Sequence, residues 1–157
     1  MSTYPTKAAG NIYCRCRKEA AVQNERLRSR EGAAELLGYS TSSVAGWELG
    51  TDRPSPEAVM IMSDLYHAPE LKNYYCRNVC PLGENIPEMK VREIDRITIM
   101  ALASIKKVCQ SKESLLEIVA DGKITEDEKP ALAEIIKTMD EMTEIAQSLK
   151  AWAAKNM

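Results

Sequence analysis

The chain has 157 residues, of which 45% are apolar and 28% are charged, and its formal net charge is −2. This composition is typical of globular proteins and excludes a disordered or fibrous chain. The single histidine, His67, leaves almost no room for a Ser-His-Asp triad or a histidine-rich zinc site. No apolar run approaches the roughly 18 residues of a membrane span, and residues 1–10 lack the apolar core of a signal peptide. We therefore expect a cytoplasmic protein without a membrane partner.

Charge is distributed unevenly along the chain. From Lys7 to Arg30, seven basic residues face two acidic ones, a local charge of +5. Residues 81–157 instead carry eleven basic and fourteen acidic residues. The two halves therefore have different electrostatic roles, and the net charge of −2 hides a basic segment that suits a nucleic-acid partner.

Helical periodicity dominates the chain, and strand signals are nearly absent. We therefore predict an all-α fold, preceded by a flexible tail over residues 1–10. The first helix is expected to begin near Asn11, because Ile12, Cys16 and Ala20 recur at a spacing of four.

Two short helices are predicted next, each with its own cap and stop. Ser29 is a suitable N-cap for the first and Gly38 ends it, while Ser40 and Gly50 do the same for the second. Ala34 supplies a small side chain where the two helices must cross closely. Two short helices joined at a glycine in this way are what a DNA-reading helix-turn-helix requires.

A fourth helix is expected from Ser55, since Pro56 suits the first helical position and an acid follows in the first turn. A fifth helix is expected from about Pro69. Residues 11–80 would then form one domain of five helices, and the proline- and glycine-containing segment 81–87 would be a linker.

The segment from Ser29 to Ser55 carries a set of residues with a family likeness. They are Arg30, Ala34, Gly38, Ser40, Val44, Trp47, Glu48, Gly50 and Pro54-Ser55-Pro56. With them, about residues 11 to 67 resemble the lambda-repressor-like family of bacterial and phage regulators, also called the xenobiotic-response-element type. The resemblance implies a five-helix DNA-binding head whose third helix lies in the major groove.

The resemblance also implies which residues would meet DNA. Base edges would be read by Thr41, Ser42, Ala45 and Gly46. Thr and Ser hydroxyls donate or accept at either kind of base pair, so this surface discriminates weakly. Backbone phosphates would be contacted by Arg17, Arg30, Ser43, Thr51 and Arg53.

Two positions depart from the family pattern. Leu49 stands where Asn, Arg or Lys usually precedes the glycine, so one phosphate contact is expected to be missing. Gly46 offers no side chain to read with, and it lowers helix propensity by about 1 kcal/mol. Either it allows a close approach to DNA or it is merely tolerated.

The five cysteines, in a chain without a secretory signal, favour reduced thiols or metal ligands over disulfides. Cys14 and Cys16 lie at the start of the first helix, and Cys76 and Cys80 lie at the end of the fifth, regions that can be neighbours in this fold class. The four thiolates could hold a zinc ion or an iron-sulfur cluster. However, Cys14 and Cys16 lie about 200° apart on a regular helix, so separate thiols are the alternative.

Residues 88–157 are predicted to form an antiparallel hairpin of two helices, each of roughly 30 residues. Asp121-Gly122 would end the first, and a capping box of Thr125 and Glu128 would start the second. Ser111 is a candidate cap for a break in the first helix. The turn and its flanking helices resemble the C-terminal part of some phage lysogeny regulators.

This hairpin carries more apolar residues than one helix-helix seam can cover, so either the head or a second hairpin is needed to cover the rest. We predict a homodimer through residues 88–157, in which two hairpins form a four-helix bundle. Dimerisation would also place two heads on half-sites about 34 Å apart.

Together these features predict a sequence-specific transcriptional regulator that binds double-stranded DNA at the bacterial nucleoid. A repressor of a phage or mobile element fits best. The alternative is a helical interaction module or antirepressor that keeps the fold without reading DNA. An enzyme is not expected, because the sequence lacks a phosphate-binding loop, Gly-x-Ser-x-Gly, His-Glu-x-x-His and a dinucleotide fingerprint.

Overall fold

The computed structural model describes residues 7–83 and 86–157. Every regular element in these residues is helical, which confirms the predicted all-α class. The chain divides into two compact units, residues 1–86 and 87–157, which we call the head and the hairpin unit. Among the described residues, no helix combines the length and the apolar character that crossing a membrane requires.

The described part of the head contains five α-helices and two short 3-10 turns. The helices are α1 (Ile12–Ala20), α2 (Arg30–Leu37), α3 (Thr41–Leu49), α4 (Pro56–Leu65) and α5 (Glu70–Asn78), and the turns are Lys7–Gly10 and Glu25–Arg28. The first turn corrects the flexible tail predicted over residues 1–10, because its Ala8 is buried against the head. Residues 1–6 of that tail lie outside the described residues.

Serine caps begin α2, α3 and α4 as predicted. The side-chain oxygens of Ser29, Ser40 and Ser55 accept hydrogen bonds from the backbone N–H groups three residues further on, at 3.0, 3.1 and 3.2 Å. Gly38 and Gly50 follow α2 and α3 with φ angles of +75° and +71°, a conformation that glycine adopts without strain. These caps fix where the two short helices begin and end.

One apolar core holds the five helices of the head together. Its buried members include Leu27, Ala33, Ala34, Leu37, Val44, Trp47, Val59, Met62 and Leu71. Ala34, which the sequence places at the crossing of α2 and α3, is 3% exposed. Because α3 turns Val44 and Trp47 into this core, its opposite side is left to solvent.

Helix α4 is followed, two residues after Leu65, by a non-glycine residue in the left-handed region. His67 has a φ of +50°, and no other non-glycine residue in the described part of the chain has a positive φ. The N–H of Ala68 donates to the carbonyl of Ser63 at 2.9 Å, and the N–H of His67 donates to that of Asp64 at 3.3 Å. This pair of bonds is the Schellman motif, and it normally places glycine at the position that His67 occupies.

His67→Gly is therefore expected to raise the free energy of unfolding of the head by about 0.5–1 kcal/mol. An L side chain costs roughly 1–2 kcal/mol in this conformation, and the greater freedom of glycine in the unfolded chain returns part of the gain. Thermal melting should rise by about 2–6 °C. His67→Ala is the control, because it removes the imidazole and keeps the strain. A glycine variant that melts below the wild type would contradict the assignment.

The described part of the hairpin unit contains α6 (Ile94–Gln110), α7 (Lys112–Ile118) and α8 (Lys129–Asn156). The predicted first helix is shorter than expected, because residues 88–93 precede it and it breaks at Ser111. Ser111 is not the cap that was predicted, because its side chain makes no capping hydrogen bond and its hydroxyl donates to the carbonyl of Lys107 at 3.0 Å. The two long helices therefore have 17 and 28 residues instead of matched lengths. They run antiparallel: Lys107 pairs with Glu141 at 2.8 Å, whereas Arg92, just before α6, pairs with Glu144 at 3.3 Å.

The predicted capping box at the start of α8 is only half formed. The Thr125 N–H donates to Glu128 Oε2 at 2.7 Å, as in a capping box, but the Thr125 hydroxyl donates to the same carboxylate at 2.8 Å. The helix begins at Lys129 instead of just after Thr125. Pro130 thus lies in the first turn of α8, where its missing N–H needs no partner within the helix.

Candidate nucleic-acid interface

Helix α3 buries one side and leaves the other to solvent. Val44 and Trp47 are buried, whereas Ser42 is exposed and Thr41 and Ala45 are half-buried. Thr41 and Ala45 are one helical turn apart and so share a face. Ser42 thus lies on the outer side of α3, and Thr41 and Ala45 lie at the border between its buried and exposed sides.

The serine hydroxyls at the start of α3 are bonded to one another. Ser40 Oγ lies 2.8 Å from Ser42 Oγ and 2.8 Å from Ser43 Oγ. A base edge or phosphate that bound Ser42 or Ser43 would have to replace one of these contacts. The hydroxyl of Thr41 makes no hydrogen bond within the described part of the chain, so it can bind a base edge without breaking one.

Gly46 makes room for the turn that follows α3. A Cβ atom at this position would lie 3.1 Å from Asp52 Cβ and 3.5 Å from Thr51 Oγ1. The carbonyl of Gly46 also accepts a hydrogen bond from the N–H of Thr51 at 3.0 Å. Gly46 therefore has a structural role, which is to let residues 51–52 pack closely against the helix, and its base-reading role stays a prediction.

The predicted phosphate contacts Arg30 and Arg53 are accessible to different degrees. The side chain of Arg53 is exposed and joins no ion pair among the described residues. The side chain of Arg30 is 33% exposed, and its Nε lies 2.8 Å from Glu48 Oε2. Thr51 is exposed, with its hydroxyl at a long 3.4 Å from the carbonyl of Gly46. Of the two arginines, Arg53 is thus the one that can bind a phosphate without breaking an ion pair within the described residues.

Arg17 does not fit the phosphate contact that the resemblance implied. Its side chain is 4% exposed, and its Nε and Nη2 donate to the two carboxylate oxygens of Glu48 at 2.5 and 3.1 Å. Its Nη1 donates to the carbonyls of Leu27 and Arg28 at 2.7 and 3.0 Å. The prediction was wrong because the guanidinium is buried and bonded inside the head, where it joins α1, α3 and the turn before α2.

Two guanidiniums therefore share the buried carboxylate of Glu48. Burial alone would raise the pKa of Glu48, but the hydrogen bonds and charges of Arg17 and Arg30 outweigh it and hold this pKa below its usual range. Burial alone would lower the pKa of Arg17, and the bond to Glu48 raises it instead. Near neutral pH the cluster thus holds two positive charges and one negative, and Arg30 brings this excess to the surface at the start of α2.

Part of the basic charge of the head is already paired. Arg15, Arg26 and Arg28 each form an ion pair with a nearby glutamate, and all of these side chains are more than half exposed. Exposed pairs of this kind contribute little stability and exchange readily with other anions. Phosphate binding by the head would therefore compete with its own glutamates.

The pair of Arg17 and Glu48 was not predicted from the sequence, although one signal pointed to it. Glu48 follows Val44 by four residues, so it lies on the side of α3 that faces the core. A charged residue is almost never fully buried unless it is paired. Its position therefore required a cationic partner on a neighbouring element.

The four cysteines predicted as metal ligands do not come together. Among the described residues, one group of potential metal ligands has all its ligand atoms within 4.8 Å of one another. This group is Cys16, Glu19 and Glu70. It includes neither Cys14 nor Cys76 nor Cys80. The four-cysteine zinc or iron-sulfur site is therefore wrong, for the reason that opposed it: two residues apart on a regular helix, Cys14 and Cys16 face different directions. None of the five cysteines, all within the described residues, forms a disulfide.

The chain matches no protein-family model, and the searches of curated proteins and of solved structures found no similar chain. The likeness to lambda-repressor-like regulators thus stays a prediction that rests on the motif residues between Arg30 and Pro56. What the head can do must be argued from its geometry.

Proposed function

We propose that the protein is a sequence-specific DNA-binding regulator that reads its site with α3. The observation that carries the proposal is the pair of serine-capped helices α2 and α3, joined at Gly38 and packed closely through Ala34 and Val44. This arrangement leaves the small side chains of Thr41, Ser42 and Ala45 at least partly exposed along α3, where a recognition helix contacts base edges in the major groove.

The protein would bind DNA through contacts to base edges and through contacts to backbone phosphates. Thr41 and Ser42 would reach base edges, and Ala45 would contact thymine methyl groups. Arg30, the first residue of α2, and Arg53, in the segment that follows α3, would bind backbone phosphates and fix the register of the helix. A protein with this surface represses transcription simply by occupying its operator.

Arg53→Ala is expected to weaken binding to all duplexes about equally and to lower the slope of log K against log salt concentration by about one, because one phosphate contact is lost. Thr41→Ala is expected to change the preferred sequence instead, by about 1–3 kcal/mol at the base pair that it reads. Fluorescence anisotropy against a duplex selected from a random pool measures both. Lys150→Ala, an exposed lysine of the hairpin unit, is the control and should leave both quantities unchanged. Equal effects of all three variants would contradict the assigned interface.

We propose further that the hairpin unit pairs two copies of the chain. Exposed positions directly follow buried ones on both long helices: Ile105 follows Ser104 on α6, and on α8 Ile136 follows Ile135 and Leu149 follows Ser148. Each lies about 100° further around its helix than the buried residue. In an antiparallel pair this rotation turns both rows to the same side of the hairpin, so they form one apolar face.

That face is the surface on which a second hairpin would pack. Its exposed members include Leu102 and Ile105 on α6 and Ile136, Met139 and Leu149 on α8, between 39% and 64% exposed. Two such faces related by a two-fold axis form a four-helix bundle. Two heads on one operator then multiply a base preference that is weak for a single head.

Leu149→Glu is expected to dissociate the dimer at micromolar concentration without unfolding the hairpin unit, because the side chain is 45% exposed within one chain. Arg96→Glu is the control: Arg96 is exposed and lies on the opposite side of α6 from Ile105. Light scattering gives the mass, and circular dichroism gives the helix content. A monomeric wild type, or equal dissociation by both variants, would contradict the proposed face.

One observation favours the alternative of a helical interaction module. The head exposes Leu49 at the end of α3 and Met60 and Ile61 on α4, at 40%, 56% and 42%. A protein partner would bury such apolar side chains, whereas the charged backbone of DNA offers them no apolar surface. Under this alternative, the selection from a random pool would enrich no motif, and Met60→Glu would abolish binding to a protein target while Thr41→Ala would not.

A further inference from the structure

Three metal-ligating side chains meet where α1 approaches the start of α5. Cys16 and Glu19 are three residues apart on α1, so they lie on one face, and Glu70 is the first residue of α5. Their ligand atoms all lie within 4.8 Å of one another. Cys16 and Glu70 are 1% and 6% exposed, and Glu19 is exposed, so the group is buried on one side and open to solvent on the other.

We propose that Cys16, Glu19 and Glu70 bind one zinc ion, with water as the fourth ligand. Zinc accepts both thiolate and carboxylate ligands, at about 2.3 Å for sulfur and 2.0–2.2 Å for oxygen. These bond lengths bring tetrahedral ligand atoms to about 3.5 Å from one another. The contact from Cys16 Sγ to Glu70 Oε1 is already 3.8 Å, so most of the adjustment falls to the exposed side chain of Glu19.

Zinc binding would replace the hydrogen bond between Cys16 and Glu70, and it would compete with the ion pair of Glu19 and Arg15. The Cys16 thiol donates its proton toward Glu70, and when the Zn–S bond forms this proton is released to solvent. The ion would then link α1 to α5 through three protein ligands. A bound ion should therefore stabilise the head, in addition to any role that the head has on DNA.

Cobalt substitution of the full-length, chelator-treated protein tests the site. Co²⁺ is expected to bind at one equivalent, with an intense near-ultraviolet thiolate-to-cobalt band that zinc then abolishes. Saturating zinc is expected to raise the melting temperature of the head by about 5 °C or more relative to chelator, and to release about one proton from the thiol. A missing charge-transfer band, or melting unchanged by zinc, would overturn the proposal.

Variants assign the ligands. Cys16→Ser should remove the charge-transfer band. Glu19→Gln should weaken zinc binding at least tenfold, and because Glu19 is exposed this variant should fold whatever the outcome. Glu25→Gln, another exposed glutamate of the head, is its control. If Glu19→Gln binds zinc as tightly as the wild type, or if Cys76→Ser or Cys109→Ser removes the band, the ion lies elsewhere and the proposal is wrong.

Discussion

Glu48→Gln is expected to lower the free energy of unfolding of the head by about 3–5 kcal/mol, more than any other exchange of a single polar atom in it. The carboxylate is buried, and it neutralises the equally buried guanidinium of Arg17 while holding Arg30. The amide keeps the shape of the side chain but leaves the positive charge of Arg17 in the core without its counter-charge. Uncompensated burial of a charge is what makes the loss large.

Urea denaturation followed by the fluorescence of Trp47 measures this loss, in a Trp152→Phe background so that only the head reports. Glu35→Gln is the matched control, since the Glu35 side chain is 74% exposed and its pair with Arg26 should be worth less than about 1 kcal/mol. Replacing both buried partners, as Arg17→Met with Glu48→Leu, should recover much of the stability. Equal losses for Glu48→Gln and Glu35→Gln would contradict the buried pair.

The same carboxylate gives the head a defined acid sensitivity. The pKa of Glu48 lies below its usual range in the folded head, so its ionised form contributes stability above the pKa of the unfolded chain. That contribution should fade as the pH falls toward the lowered folded pKa. Stability measured against pH should therefore fall less steeply on the acid side in Glu48→Gln than in the wild type. Parallel acid limbs in the two proteins would contradict the shift.

Gly32→Ala is expected to destabilise the head by about 2–3 kcal/mol, although the same change in an open helix would stabilise it by about 1 kcal/mol. Gly32 lies within α2, and a Cβ atom there would overlap the carbonyl oxygen of Arg26 in the preceding 3-10 turn. That oxygen belongs to the backbone, so it cannot move aside by a change of rotamer. The turn, which carries the buried Leu27, would have to shift away from α2.

Thermal and urea unfolding measure the effect, and Glu31→Ala is its control on the same helix. Glu31 is exposed, so its replacement should change stability by no more than about 0.5 kcal/mol. A Gly32→Ala variant that is more stable than the wild type would show that the turn does not pack against α2 as described.

Local signals predicted the head well because its helix ends are set by neighbouring residues. Ser29, Ser40 and Ser55 cap through bonds that reach only three residues along the chain, and Gly38 and Gly50 stop helices through their own φ angles. Such features are written in the sequence without reference to the rest of the fold.

What could not be predicted depends on contacts between distant residues. Arg17 has a cationic side chain of the kind that binds phosphate. Only the packing of α3 against α1 places this side chain next to Glu48. Glu70 joins Cys16 across 54 positions of the chain, so no local spacing could reveal that pair. Gly46 likewise has no sequence signal for the turn that packs against it.

Selection of duplexes from a random-sequence pool by the full-length protein tests the central claim most directly. The account predicts one enriched motif, two-fold symmetric, with half-sites spaced by about one helical turn or a multiple of it. Binding to that motif should weaken steeply between 50 and 300 mM salt, as expected for several phosphate contacts. An unenriched pool, together with weak binding that persists at 300 mM salt, would contradict a DNA-reading role for α3.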